Sequence, residues 1–418
     1  MNAYAVIMAG GSGERFWPLS RSKRPKQLLA LTSQRMMIEE AIDRIAPIIP
    51  LERVLIITSA ALQQPIIDAL PTLPPQNVIA EPAKRNTAPC LALACSVIEA
   101  REGGDALMAV LTADHFIGNV EAFRHDVQVA LNYAEGHNAL LTLGIPPTRP
   151  ETGYGYIRMS SATAPSTVTS VAEFKEKPNS EGALEYLRSG DYVWNSGMFF
   201  WRTHALSDAM RSSLPDVGEK ITGMTQALRG AAREASRDAA REASRDAARD
   251  AAREAARDAA REASRDAARD AAREASRDAA RDAAREASRD ASREELDALF
   301  SQMPDISIDY GVMERADNVF VVPASFPWDD VGSWDSLDRM QPRDARGNVL
   351  QGATTVVDTT NSVIVNAANG SHIVTAVGLE DIVVVVTTDA TMVCAKERAQ
   401  DVKLIVKALR EQGRSDVL

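Results

Sequence analysis

The sequence predicts an α/β protein with a separate β-rich carboxy-terminal segment, and three patterns predict it. From residue 1 to about 200, short apolar runs alternate with helical patterns, the mark of a mostly parallel sheet with helices on its faces. From Gly347 to about Cys394 the chain changes to short stretches rich in Val, Thr and Ile, separated by turns at Asn361, Asn366, Asn369, Gly370 and Gly378; these read as a small β domain. Between the two, residues 231–294 are sixteen uninterrupted tetrads of the form A-[AS]-R-[ED].

Taken in order, Ala5 to Met8 has the length and composition of a short buried strand. A helix is expected near residues 36–45, a strand over 54–58, a helix over 88–99 and a strand over 107–111. A ligand of such a sheet sits at the carboxyl ends of the strands. The tetrads are rich in Ala and Arg, and each acid stands three residues before an Arg, both of which favour a helix. Like charges recur every fourth residue and oppose it by about 0.2–0.5 kcal/mol per pair; alanine propensity decides for helix. A period of four turns the pattern by about 40° per tetrad, so no apolar stripe persists. The reading is a solvated, net-neutral helix of up to ~96 Å, with a spacer or partner-binding rod as its functional alternative. Globular patterning resumes at Leu296, with elements at 307–313 and 319–322, which makes the repeat an insertion. An amphipathic helix over 397–411 closes the chain. The expected division is 1–230 with 295–342 as one domain, 231–294 as the insertion, and 343–418 as the carboxy-terminal domain.

At 418 residues and 45% hydrophobic the chain can bury a real core, and its formal charge of −11 argues against nucleic-acid or anionic-membrane partners. A phosphate site would be a local basic pocket taking a small phosphorylated ligand. Cys90, Cys95 and Cys394 form no C-x-x-C pair and read as reduced thiols of a cytosolic protein. The longest late apolar run, Ile382 to Val386, is far too short to span a bilayer, so neither export nor membrane insertion is expected.

The stretch that carries chemistry runs from Met8 to Gln27, MAGGSGERFWPLSRSKRPKQ. Gly10, Gly11 and Gly13 remove Cβ atoms where the chain leaves a strand, so that backbone N–H groups can surround an anion. Arg15 can fork onto phosphate oxygens and Lys26 adds a compact second charge, a combination suited to a triphosphate. It matches neither G-x-x-x-x-G-K-[ST] nor G-x-G-x-x-G. Asp114, after the buried run 107–111, suits either a Mg²⁺ ligand or a turn cap, with His115 structural. Asp330, in WDDVGSW, suits a second ligand or an aromatic-packed turn. In EFKEKP, Lys175 and Lys177 fall on one face of an extended segment and Glu176 on the other; phosphate and hydroxyl contacts compete there with an ordinary charged edge strand. WNSGM and TGYGYI offer a sugar an amide and close backbone access, or are simply turns. In KRNTAP, Thr87 is expected to cap a helix with Pro89 in its first turn, leaving Glu81 and Asn86 to read a base edge.

AGGSGERFWPLS with RPKQ resembles the signature of sugar-1-phosphate nucleotidylyltransferases, in its mannose-1-phosphate guanylyltransferase branch. EPAKRNTAP, LTADH, RPETGYGYI, EKP, YVWNSGMFFW, SIDYGVME and WDDVGSW extend the likeness over residues 3–230 and 295 to about 410. The resemblance implies a Rossmann-like nucleotidyltransferase domain with a mixed, mostly parallel sheet and a short left-handed β-helix. It implies that Gly10, Gly11, Gly13, Arg15 and Lys26 bind GTP phosphates, with Arg15 and Lys26 catalytic, and that Glu81, Asn86 and Thr87 lie near the guanosine. Asp114 would also touch the nucleotide and would ligate Mg²⁺ with Asp330, while Gly155, Glu176, Lys177, Asn195 and Gly197 would face mannose 1-phosphate. The implied products are GDP-mannose and pyrophosphate. The expected partners are the two substrates and a second copy of the chain in a dimer, in the cytoplasm. Glu14 stands where relatives often have Thr, and Thr112 where they often have Pro. The repeat has no counterpart in the family, and the chain ends at Leu418 without the isomerase domain of many relatives, so a single activity is expected. Another nucleotide–hexose pair, and a silent regulatory or scaffold subunit, are the alternatives.

Overall fold

The computed structural model describes residues 2–161, 164–233 and 291–418. By its internal contacts the chain divides into two units, one of residues 1–81, 106–206 and 312–418, the other of residues 82–105 and 207–311.

In the first unit the strands are β1 (Ala3–Met8), β2 (Val54–Ser59), β3 (Val78–Glu81), β4 (Leu107–Thr112), β5 (Phe116–Ile117), β6 (Leu140–Ile145), β7 (Tyr156–Met159), β8 (Thr169–Lys175), β9 (Tyr192–Arg202), β10 (Val319–Pro323) and β11 (Trp328–Asp329). Among the described residues, nine of them form one sheet of order β3-β2-β1-β4-β9-β6-β10-β8-β7, while β5 and β11 pair separately. The sheet is mixed. Its first four strands are parallel, which is where the strand–helix alternation of the sequence falls. β9 runs antiparallel to both β4 and β6. Ala3 to Ile7 of β1 are all buried, as expected of a strand covered on both faces.

Helices α1 (Met37–Ile45), α2 (Ala60–Ala69) and α4 (Val120–Gly136) pack on the sheet. Ile38, Ala41 and Ile45 of α1, Leu62 and Ile66 of α2, and Phe123, Val127 and Leu131 of α4 share one core with Ala5, Ile7, Ile56 and Ala109. Asp126 of α4 is fully buried. It accepts hydrogen bonds from the Ser166 hydroxyl and from the backbone N–H and hydroxyl of Ser325, the last two at 2.8 and 2.9 Å. The segment between β10 and β11 is thereby fixed, and it delivers Asp329 and Asp330.

The carboxy-terminal strands are β12 (Val349–Gln351), β13 (Thr354–Val357), β14 (Val363–Asn366), β15 (Val374–Val377), β16 (Ile382–Val386) and β17 (Thr391–Ala395). β12, β14 and β16 stack in parallel register, as do β13 and β15, so the chain climbs in coils as a β-helix, and β17 closes the stack antiparallel to β16. Alternation sorts the side chains. Ile364, Val384 and Val386 meet Val374 inside the coils, whereas Val363, Val365, Val383 and Val385 face a second core containing Phe16, Trp17 and Trp334. Asn366 donates to the carbonyls of Ala353 and His372, satisfying turns that the coil buries. The end of the chain is a 3₁₀ turn, Lys396–Asp401, followed by the helix Val402–Glu411, tighter at its start than the expected helix over 397–411.

The second unit is helical. It contains α3 (Thr87–Glu102) and the helical residues 215–233 and 291–301. The glycine positions 223 and 230 lie against Leu299 and Ser292, so the last two helices run antiparallel side by side. The repeat expected over 231–294 falls, for residues 234–290, outside the described residues. Because the flanking helices meet, replacing 234–290 by a turn of about four residues is expected to leave a folded chain whose thermal midpoint stays within about 4 °C of the parent, roughly 1 kcal/mol. Loss of cooperative unfolding by calorimetry would contradict this.

Candidate active site

β1 delivers the glycine loop. The Ala9 carbonyl, at its start, accepts hydrogen bonds from Gln27 Nε2 and Thr58 Oγ1, both at 2.9 Å. Gly10 and Gly11 are exposed. Gly13 takes φ +63°, and a Cβ there would lie 2.5 Å from Lys26 Cβ and 2.7 Å from Lys26 N. Only glycine fits, because the loop crosses directly over Lys26. A 3₁₀ turn, Glu14–Phe16, then exposes Arg15 and buries Phe16. The Glu81 carboxylate, at the end of β3, approaches within 3.8 Å of the Cβ position at Gly10.

Lys26 is the joint of the site. Its ammonium lies 2.9 Å from Asp114 Oδ2 and 2.8 Å from the Asp330 carbonyl oxygen, and 5.7 Å from the Phe16 ring centroid. The two acids are brought together by the β5–β11 ladder, which pairs Phe116 with Asp329 and Ile117 with Trp328. Trp328 Nε1 donates to His115 Nδ1 at 3.1 Å. Burial, together with Lys26 and Arg44, lowers the His115 pKa to about 4 although Asp114 opposes this; the imidazole is a neutral acceptor, a structural part. Burial opposes ionisation of Asp114, but the charge and hydrogen bond of Lys26 outweigh it and hold the carboxyl below its usual range.

The adjacent acids Asp329 and Asp330 have different fates. Asp329 is 4% exposed and is forked by Arg339 at 2.6 and 3.2 Å, while its Oδ1 also receives the Val331 N–H. Asp330 is left to the site. Burial and the neighbouring Asp329 and Asp114 raise its pKa against the Tyr154 hydrogen bond and the Lys26 charge.

Gly155, Glu176, Lys177, Asn195 and Gly197 also come together. Asn195 N donates to the Gly155 carbonyl at 2.8 Å, and Asn195 Oδ1 accepts from Thr142 Oγ1 and Gly197 N, both at 3.2 Å. A Cβ at Gly155 would lie 2.4 Å from Glu176 Oε2, and that oxygen is buried without a hydrogen-bond partner among the described residues. Gly197 takes φ +69°, and a Cβ there would lie 4.0 Å from the methyl of Thr112, two residues before Asp114. The EFKEKP segment differs from expectation. β8 ends at Lys175, which pairs with Glu173, and Lys177 is left-handed at φ 47°. The extended alternation breaks there, so Lys177 Nζ meets Glu176 Oε1 at 2.8 Å instead of facing away from it.

Asn86 and Thr87 belong to the second unit. The cap of α3 is Asn86, not Thr87: Asn86 Oδ1 accepts the Thr87 N–H, while Thr87 Oγ1 accepts the Ile308 N–H at 2.9 Å. A backbone donor 221 residues away claims the hydroxyl that local sequence assigned to a cap.

Sequence reasoning missed Tyr154 and Arg149. Tyr154 Oη donates to Asp330 Oδ1 at 2.6 Å, and burial followed by Asp330 raises the phenol pKa. Arg149 donates to Tyr154 Oη at 3.2 Å and stacks over Trp194 at 5.0 Å. The signal was the aromatic between Gly153 and Gly155, a bulky side chain where a plain turn needs none.

Gly13→Ala combines left-handed strain with the clash on Lys26. We expect it to destabilise the fold by about 1–2 kcal/mol, read by urea unfolding; an unchanged midpoint would mean that the loop is free to move off Lys26.

Residues 4–347 match the nucleotidyl transferase family, and residues 352–409 match the family described as MannoseP isomerase/GMP-like beta-helix domain. A mannose-1-phosphate guanylyltransferase of Klebsiella pneumoniae is 36% identical over 416 residues, covering 98% of this chain and 74% of that protein. The alginate biosynthesis protein AlgA of Pseudomonas aeruginosa is 36% identical over 414 residues, covering 98% and 73%. A crystal structure described as mannose-1-phosphate geranyltransferase from Thermus thermophilus superposes with a TM-score of 0.75 at 32% identity, covering 98% of this chain and 100% of that one. No helix among the described residues is long and apolar enough to cross a membrane. The two family matches, the mixed sheet with its β-helix, and identity sustained over nearly the whole chain agree: the chain is a nucleotidyltransferase and belongs to the mannose-1-phosphate guanylyltransferase family.

Proposed function

We propose that the chain transfers GMP from GTP to mannose 1-phosphate, releasing pyrophosphate and GDP-mannose. The observation that carries this reading is Lys26, held under the glycine loop between Asp114 and Asp330. A phosphate oxygen of the acceptor attacks the α-phosphorus, a new P–O bond forms, and the α–β bridging bond breaks with its electron pair leaving on pyrophosphate. The N–H groups of Gly10, Gly11 and Gly13 and the exposed Arg15 bind the triphosphate, and Lys26 neutralises charge at the reacting end. Glu81, Asn86 and Thr87 are assigned to the guanosine. Glu176, whose Oε2 lacks a donor, accepts from a sugar hydroxyl, with Gly155, Asn195 and Gly197 beside it and Lys177 on the sugar phosphate.

Asp114 and Asp330 fit Mg²⁺: both are hard carboxylate donors, and Mg²⁺ is usually held by one or two of these with substrate phosphates and water completing its shell. Bound there, Mg²⁺ supplies further charge neutralisation at the phosphate oxygens. Tyr154 fixes Asp330 Oδ1 by its hydrogen bond, so that Oδ2 would be the oxygen left for the cation. A dimeric assembly, a cytoplasmic location and the three-part domain division belong to the same reading.

Pyrophosphate release is the test, across four nucleoside triphosphates and a panel of hexose 1-phosphates. Turnover confined to GTP with mannose 1-phosphate is expected. Another pair would shift the specificity, and no turnover from folded protein would favour a silent subunit. Asp114→Asn should cost about 3–4 kcal/mol of transition-state stabilisation, several hundredfold in kcat/KM. Tyr154→Phe removes one hydrogen bond to a charged group, worth about 1.5 kcal/mol. We expect roughly tenfold lower kcat/KM with a higher Mg²⁺ requirement, and normal Mg²⁺ dependence would release Tyr154 from this role.

A further inference from the structure

We infer that the carboxy-terminal segment, together with Trp334 just before it, positions the phosphate loop, with Val417, Arg410 and Trp334 fixing Trp17 and Glu14 on either side of Arg15. The inference rests on the reading of Arg15 as a phosphate ligand.

Four contacts hold the loop from the far end of the sequence. Trp17 Nε1 donates to the Val417 carbonyl at 2.8 Å, across 400 residues. Trp334 Nε1 donates to the Trp17 carbonyl at 3.0 Å, and its ring meets Phe16 edge-on with centroids 5.1 Å apart. Arg410 pairs with Glu14 at 3.0 Å, and Arg21 pairs with Asp389 at 2.8 Å. Phe16 and Trp17 share their core with Val402 and Val406 of the last helix. Arg15 therefore stands between two residues that are each tied to the carboxy-terminal segment, while its own side chain is exposed.

These contacts serve placement more than attachment. The Arg410–Glu14 pair is exposed and so contributes little to stability, yet it ties the residue before Arg15 to a partner 396 residues away. Trp17 and Trp334 direct their indole N–H groups to main-chain carbonyls, which fixes backbone and not only side chains. A phosphate-binding turn held this way loses little conformational freedom on binding a triphosphate, which lowers the entropic cost of binding.

The experiment compares Trp17→Phe, Arg410→Ala, Arg410→Lys, deletion of 415–418, and the combination of Trp17→Phe with that deletion. KM for GTP and for mannose 1-phosphate, kcat and thermal midpoints are measured on the full enzyme. Trp17→Phe and the deletion should each raise KM for GTP by about three- to tenfold, the value of one hydrogen bond, leaving KM for mannose 1-phosphate within about twofold. Their combination should be no worse than the deletion alone, since both remove one bond. Arg410→Lys should recover what Arg410→Ala loses. If the deletion lowers the melting temperature while KM for GTP stays within about twofold, or if the two effects multiply, the segment is only a structural support. Should the deletion fail to fold, Trp17→Phe and the Arg410 pair decide alone. A wild-type enzyme inactive with every nucleotide would instead overturn the assigned function.

Discussion

The site depends on accommodating one buried cation. Lys26 is 6% exposed, and an ammonium taken out of water is costly unless its donors are matched. Its partners come from distant parts of the chain: the Asp114 carboxylate, the Asp330 carbonyl and the face of Phe16. Each partner imposes its own requirement. Asp114 must follow β4 directly, Asp330 must be brought back by the β5–β11 ladder, and the loop above must carry glycine at 13 because Lys26 backbone occupies the space a side chain would take. The geometry around Lys26 and the local packing are here the same set of contacts.

The neighbouring acids show how charge is distributed around that cation. Asp329 is fully compensated by the Arg339 fork and a backbone donor, so it acts as an anchor. Asp330 faces a phenol and two other carboxylates, and its positive neighbour is Lys26, which it shares with Asp114. Tandem acids with such unequal partners leave one carboxylate in want of positive charge, and it lies beside the acid that Lys26 already neutralises. A dication brought in with a triphosphate suits that imbalance.

What the sequence made legible was local. The buried run Ala5 to Met8, the glycine turn after it, the basic pair Arg15 and Lys26, and an acid after 107–111 are each written in contiguous residues; the structure shows the buried strand, an exposed Arg15, and Lys26 against Asp114. The convergence of Asp114 with Asp330 was not legible, because a short ladder between distant segments and a shared lysine leave no periodic trace. The direction of β9 was hidden for a related reason: an apolar strand buried on both faces has the same composition whether it runs parallel or antiparallel. Lys177 shows a backbone limit, since its left-handed φ reverses the facing that alternation predicts. Thr87 shows competition, where a tertiary donor displaced the local cap.

The β-helix backs the glycine loop. Its central strands bury apolar side chains on both faces, Ile364 and Val384 inward and Val363, Val365, Val383 and Val385 outward. The outward set is too apolar to face water, and what covers it is the Phe16–Trp17 edge of the glycine loop with Trp334. The loop in turn exposes glycines and Arg15 on its other side. A turn that must display backbone N–H groups cannot bury its own backbone, so its rigidity has to come from a neighbour packed behind it. The coil supplies that backing with valines, and the two indole N–H groups set its register. A stacked β domain and a glycine loop at opposite ends of the sequence therefore form one packing unit, in which apolar burial on one face permits polar exposure on the other.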